Sequence, residues 1–133
     1  ELYRAAAEQG LPRAQCCLGY CTEKGIGTEA DPAAAAEWYR RSAEGGYSRG
    51  MYNYACCFEN GTGVKKDLPL AQQWYERAAK EGLPDAMYEL GVWYEDGRCG
   101  PKDAAQALAW YKKAAEAGHD RARKAVERME KLV

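Results

Sequence analysis

The sequence predicts an all-α fold, an αα-solenoid of stacked helix-turn-helix repeats. Three observations predict it. Gly10, Gly46, Gly82 and Gly118 recur at a step of 36, as do Tyr3, Tyr39, Tyr75 and Tyr111, and Trp38, Trp74 and Trp110. Self-similarity at such a period marks copies of one supersecondary unit that bury their apolar faces against each other. Each copy also carries helix start and stop signals at fixed places, and each fills its second helix with alanine and an aromatic pair. A stacked array offers a long surface before it offers an enclosed pocket, which favours binding over catalysis.

Three full units align without gaps, at residues 11–46, 47–82 and 83–118. Residues 1–10 read as the tail of a preceding unit, and residues 119–133 as a closing helix. The first helix of each unit starts near Pro12, Ser48 or Pro84, where a proline needs no N–H of its own. It stops at Gly25, Gly61 or Gly97, residues suited to a left-handed helix end. A loop follows, EKGIGTEAD, ENGTGVKKD or EDGRCGPKD. Its last residue, Asp31, Asp67 or Asp103, is a ready N-cap for the second helix. Pro32 and Pro69 stand in that helix's first turn, and Gly46, Gly82 and Gly118 lie just beyond its end. Alanines such as 33–36 let neighbouring helices approach closely at little entropic cost. Trp38, Trp74 and Trp110, with Tyr39, Tyr75 and Tyr111, are expected to supply the large buried area.

The closing segment is rich in charge, with Arg121, Arg123, Lys124, Glu127, Arg128, Glu130 and Lys131. A terminal helix of this kind can meet water on one face and cap the array. The N-terminal edge has no such cap, and Leu2 stands where other units have Trp. End-to-end self-association through that edge is therefore an expectation. The chain begins at Glu1, without Met and inside a repeat, so a longer array is expected.

The 133 residues carry 19 basic and 20 acidic side chains, a net charge of -1. That balance argues against a nucleic-acid partner. No apolar run approaches the roughly 20 residues of a membrane span. A single His argues against His-based triads and the common Cys/His zinc sites. Six Cys, at 16, 17, 21, 56, 57 and 99, do not follow the repeat as stapling disulfides would. Cys21 and Cys57 share a repeat position, but stacked helices put such positions about 10 Å apart. A disulfide needs Cα atoms within about 7 Å. Reduced thiols and a cytoplasmic setting are the expectation.

The strings AMYELGVWYEDG and DLPLAQQWYERAAKEG fit A-x-x-x-[LY]-[GA], an aromatic, G-x-G, D, A, then W-Y-x-x-A-A-x-x-G. The chain resembles the Sel-1-like repeat, a relative of the tetratricopeptide repeat, over nearly its whole length. A tetratricopeptide unit has 34 residues and lacks the G-x-G loop. Three departures stand out: Thr22 replaces the aromatic seen as Phe58 and Tyr94, Ala55 replaces the glycine of Gly19 and Gly91, and Cys99 replaces that of Gly27 and Gly63. Disulfide-rich secreted relatives carry Cys where this chain has Ala7, Ala43, Ala79 and Ala115. The resemblance implies a right-handed superhelix and an adaptor role, with first helices lining the concave face.

Helical geometry separates two stripes on the first helices. Ala14, Leu18, Cys21, Thr22 and Gly25, with Ala86, Leu90, Trp93, Tyr94 and Gly97, form the packing side. The other stripe is Arg13, Cys16, Tyr20 and Glu23, then Arg49, Tyr52, Cys56 and Glu59, then Asp85, Tyr88, Val92 and Glu95. It is the expected partner-binding surface, taking a protein or peptide through Tyr area and polar tips. Tyr52 and Tyr88 can equally pack on a neighbouring helix. Glu23, Glu59 and Glu95 sit at the negative end of their helices, which costs about 0.3–1 kcal/mol each. A salt bridge to a loop or the next repeat is the plain offset; a row of acids reading a basic ligand is the functional one.

Catalytic motifs are missing. Ser42 and Ser48 are followed three residues on by Gly45 and Met51, not by the Lys that a β-lactam-binding relative would use. No phosphate-binding G-x-x-x-x-G-K-[ST] loop is present. The expectation is a non-catalytic scaffold with no cofactor. Its rival is a thiol-rich metal-binding or redox-sensing protein, built on Cys17, Cys21, Cys56 and Cys57 or on Cys99 beside Arg98.

Overall fold

A computed structural model describes residues 2–131, with side chains from residue 4 onward. Among them are eight α-helices and no strand. They are α1 (Leu2–Glu8), α2 (Pro12–Lys24), α3 (Pro32–Glu44), α4 (Ser48–Asn60), α5 (Leu68–Lys80), α6 (Pro84–Asp96), α7 (Ala104–Glu116) and α8 (Asp120–Glu130). The side chains of Leu2 and Tyr3, on which the reading of the N-terminal edge rests, lie outside the described residues.

The punctuation works as the sequence implies. Asp31, Asp67 and Asp103 each accept a hydrogen bond at 3.1 Å from the backbone N–H three residues on, at Ala34, Leu70 and Gln106. The backbone N–H of each Asp donates at 2.9 Å to a carbonyl of the preceding helix, that of Thr22, Phe58 or Tyr94. The loop therefore docks through its backbone, which is why Thr, Phe and Tyr can alternate at that position. Gly25, Gly61 and Gly97 close α2, α4 and α6 with φ of 73°, 72° and 69°, where a side chain would be strained. In the third loop no non-glycine residue has positive φ, so Cys99 does not; Gly100 takes it at 148°.

The chain divides into two compact units, residues 1–74 and 75–133. In unit 1, Ala7, Ala14 and Leu18 form a cluster against which Ala6 and Trp38 pack. Further along, Tyr54 meets Phe58 and Trp74 edge-on, with ring centroids 4.7 and 5.3 Å apart. Gln15 is buried and ties α2 to α1 by donating to the Ala7 carbonyl at 3.1 Å. In unit 2, Ala107, Tyr111, Ala125 and Met129 form a core cluster, flanked by Tyr88, Val92, Tyr94, Leu108 and Val126.

The aromatic pair divides its work unequally. Tyr39, Tyr75 and Tyr111 are each 1% exposed, whereas Trp38, Trp74 and Trp110 are only half-buried. The expectation that both residues carry the core is corrected on this point. The tyrosine enters a slot cut by a glycine on the first helix: a Cβ on Gly19 would lie 2.8 Å from the Tyr39 ring, and one on Gly91 2.5 Å from Tyr111. The indole lies on the flank, with Arg41 5.0 Å over Trp38 and Lys113 4.7 Å over Trp110. A cation over an exposed indole face is worth about 0.5–1 kcal/mol.

Ser42 departs from the alanine found at positions 78 and 114, and Gly50 departs from the alanine at 14, 86 and 122. The two departures compensate. Ser42 is fully buried, and its Oγ donates to the Pro12 carbonyl at 2.6 Å. A Cβ on Gly50 would stand 2.2 Å from that Oγ. Gly50→Ala alone should destabilise unit 1 by about 1–3 kcal/mol through overpacking. Adding Ser42→Ala should recover part of the loss, because it removes the Oγ, while the Cβ at position 42, at 2.7 Å, and the Ala43 nitrogen, at 3.1 Å, still require α4 to shift. Urea unfolding midpoints of the two single variants and the double variant check this.

Candidate functional site

The site is built where α2 and α4 run side by side in unit 1. Tyr20, Glu23 and Lys24 from α2, Tyr39 from α3, and Asn53, Cys56, Cys57 and Asn60 from α4, with Thr62, line a cleft of about 200 Å³. That volume is below the roughly 300–1,000 Å³ of small-molecule pockets and suits one or two side-chain heads. Tyr20 is 50% exposed, as among the described residues few large apolar side chains are. The Lys24 ammonium lies 5.9 Å from the centre of its ring.

Glu23 sits in the last turn of α2, at the edge of this cleft. Its Oε1 accepts a hydrogen bond from the Tyr39 hydroxyl at 2.8 Å. A phenol from the next helix thus offsets the charge placed at the negative helix end. Burial, and then this bond to Glu23, push the Tyr39 phenol far above its ordinary value. The arrangement recurs in unit 2, where the Tyr111 hydroxyl donates to Glu95 Oε1 at 2.7 Å. There a second partner joins: Arg128 of α8 places Nη1 2.6 Å from Glu95 Oε2 and Nη2 2.9 Å from Oε1.

The twelve stripe residues fall into distinct environments. In unit 1, Arg13 and Tyr20 are exposed, while Glu23, Arg49, Tyr52, Cys56 and Glu59 are half-buried. Arg49 lies 5.1 Å over the Tyr52 ring. Cys16 is only 5% exposed, and its Sγ accepts from Asn53 Nδ2 at 3.4 Å. Cys16 therefore packs between helices and keeps little exposed surface. In unit 2, Asp85, Tyr88, Val92 and Glu95 are half-buried, and each engages the closing segment or the core beside it. Asp85 Oδ1 lies 3.1 Å from His119 Nε2, and Tyr88 stacks on the His119 ring at 4.8 Å. Val92 packs on the cluster that includes Ala125 and Met129. His119 also caps α8, its Nδ1 accepting from Ala122 N at 3.1 Å.

Sequence reasoning did not find Asn53, Asn60 or Thr62, which the 3.6-residue stripe leaves out. The signal for the Tyr–Glu bond was present, since Tyr39 and Tyr111 each follow their Glu by the same 16 residues.

The Glu95–Arg128 pair sets a pH dependence. The Arg128 guanidinium holds the Glu95 carboxyl below its ordinary value of 4.5, with the Tyr111 bond acting the same way against burial. A carboxyl depressed by folding adds stability that is present above the unfolded value and lost as pH falls through the folded one. Unit 2 should therefore lose stability as pH drops below 4.5, and Arg128→Ala should flatten that loss. The side chains are 51% and 29% exposed, so the effect is about 0.2–1 kcal/mol. Hydrogen exchange of α8 amides across this range measures it.

The thiol reading gains nothing from the geometry. All six cysteines are free. Burial raises Cys16 to about 11 and Cys57 to about 12, so neither is a thiolate near neutrality. Cys99 is half-buried, and Arg98 beside it lies over Trp93 and 3.7 Å from Asp96. Among the described residues no group of three or more His, Cys, Asp or Glu gathers as metal ligands would. No helix among them is long and apolar enough to cross a membrane.

The Sel1 repeat model matches residues 1–11, 12–47, 48–83 and 84–119. The chain belongs to the Sel1 repeat family. Its fold is that of solved Sel1 repeat structures. A Sel1 repeat protein from Oxalobacter formigenes is 38% identical, with 95% of each chain covered and a TM-score of 0.85. A protective antigen of uropathogenic Escherichia coli strains, described as displaying an SLR fold, is 34% identical with a TM-score of 0.88. That match covers 96% of this chain, which spans only 27% of the antigen's length. Helicobacter pylori cysteine rich protein B shares the fold at 24% identity, with a TM-score of 0.75 over 92% of this chain and 93% of its own. Sel1 repeats suggest a protein–protein interaction scaffold.

Proposed function

We propose that this Sel1 repeat chain is a non-catalytic scaffold that binds a protein or peptide along the first helices of its repeats. The observation that carries the reading is the α2–α4 cleft of unit 1, where Tyr20, Glu23 and Cys56 of the stripe meet Asn53 and Asn60. Exposed aromatic area beside amide and carboxylate groups is the composition of a peptide-binding surface. In unit 2 the closing segment engages the stripe of α6, whereas in unit 1 Tyr20 keeps half of its surface exposed. No covalent or acid–base step is assigned to any residue.

Peptides selected from a random display library on the whole chain test this. Tyr20 is exposed, so Tyr20→Ala should leave helicity and thermal stability unchanged. It should weaken the selected peptides by tenfold or more, about 1.4 kcal/mol. Unchanged affinity would count against the cleft. Tyr88 is a poor choice for the same experiment, because its contacts with His119 and Tyr111 make it part of the unit 2 packing.

A further inference from the structure

We infer that the α2–α4 cleft of unit 1 receives an arginine side chain of the partner protein. This deepens the scaffold reading and rests on it.

Tyr20, Cys56, Val92 and Arg128 occupy one repeat position, at steps of 36. In unit 2, Arg128 lies 33 residues beyond Glu95 and grips its carboxylate through both terminal nitrogens, at 2.6 and 2.9 Å. The Tyr111 phenol donates to the same carboxylate at 2.7 Å. The fold therefore shows how its Glu–Tyr pair binds a guanidinium. In unit 1 the pair is repeated, with Tyr39 donating to Glu23 at 2.8 Å. The residue 33 beyond Glu23 is Cys56, a short side chain with no cationic group. The cleft opens at that place, lined by Tyr20, Glu23, Tyr39, Asn53, Cys56 and Asn60.

Chemistry selects the occupant. Glu23 forms no ion pair among the described residues, and Tyr39 occupies one lone pair of one of its oxygens. A carboxylate held in this way matches the planar fork of a guanidinium, which donates two parallel hydrogen bonds, better than the point charge of an ammonium. The exposed Tyr20 ring offers a face on which a guanidinium plane can stack. Asn53 and Asn60 add side-chain carbonyls that can accept from the remaining N–H groups. Lys24 also lines the cleft, its ammonium 5.9 Å from the centre of the Tyr20 ring, but it is an exposed side chain that can turn into water and yield that ring to the guanidinium.

The test uses the whole chain and the probe acetyl-Gly-Arg-Gly-amide, followed by amide chemical shifts. Saturable shifts should appear on α2 and α4 of unit 1. They should weaken at least fivefold with the citrulline or lysine probe, or in Glu23→Gln. Cys56→Arg tests the repeat comparison directly: its new guanidinium should occupy the place beside Glu23, raise the melting temperature of unit 1 and abolish the shifts. Absence of arginine-dependent shifts, equal binding of the citrulline or lysine probe, or undiminished binding by Cys56→Arg overturns the inference. Library peptides that need Tyr20 yet tolerate loss of every arginine would overturn it while leaving the scaffold reading in place. Peptides indifferent to Tyr20 would remove both.

Discussion

Tyr39→Ala should destabilise unit 1 by about 3–5 kcal/mol, the range for emptying a buried aromatic site. The ring is 1% exposed and fills the slot left by Gly19, so the helices cannot close over the space without moving α2 against α3. Removing it also takes away the hydrogen-bond donor to Glu23 at the end of α2. Tyr39→Phe separates the two contributions. It keeps the ring and deletes the hydroxyl, and because Glu23 is half-buried, water can partly replace the lost donor. The cost should then be about 1 kcal/mol. Denaturant unfolding of the two variants gives both numbers, and near-equal losses would mean that the hydroxyl, not the ring, holds the hairpin.

Trp93→Ala should also cost about 3–5 kcal/mol, in unit 2. Trp93 is 2% exposed and meets the Tyr75 ring edge-on at 5.6 Å. Trp110 is the informative comparison. It belongs to the repeating Trp series that catches the eye in the sequence, yet it is half-buried beneath Lys113. Much of its surface never leaves water, so Trp110→Ala should cost less than half as much as Trp93→Ala. Thermal unfolding of the pair decides this. A larger loss at Trp110 would restore the view that the repeating tryptophans carry the core.

That comparison shows where the sequence is legible and where it is not. Caps are local: an Asp before an alanine run and a Gly after it act on backbone groups a few residues away. The three Asp caps and the three left-handed glycines therefore stand where reading the chain puts them. Trp38 and Tyr39 are neighbours separated by one helical step. Only the glycine of another helix, Gly19, decides which of the two enters the interior. Composition cannot reveal that, although Gly19–Tyr39 and Gly91–Tyr111 repeat at equal spacing. Glu23 and Glu95 are read correctly as charges in need of an offset. A salt bridge to the next repeat forms at Glu95, while each glutamate also accepts from its own phenol, Tyr39 or Tyr111, an aromatic expected only to pack. The burial of Cys16 is not legible in the stripe, because helical periodicity gives a direction without a depth; Asn53 of α4 approaches on that side and donates to the thiol. The cleft itself is made by residues of three helices and a loop, a juxtaposition that no single stripe contains.

The peptide footprint is the most direct measurement. Amide chemical shifts of the whole chain, recorded as a library-selected peptide is titrated to saturation, should change most around Tyr20, Glu23, Asn53, Cys56 and Asn60 of unit 1. Changes confined to the outward faces of α3 and α7, with α2 and α4 silent, would contradict the assignment of recognition to the first helices.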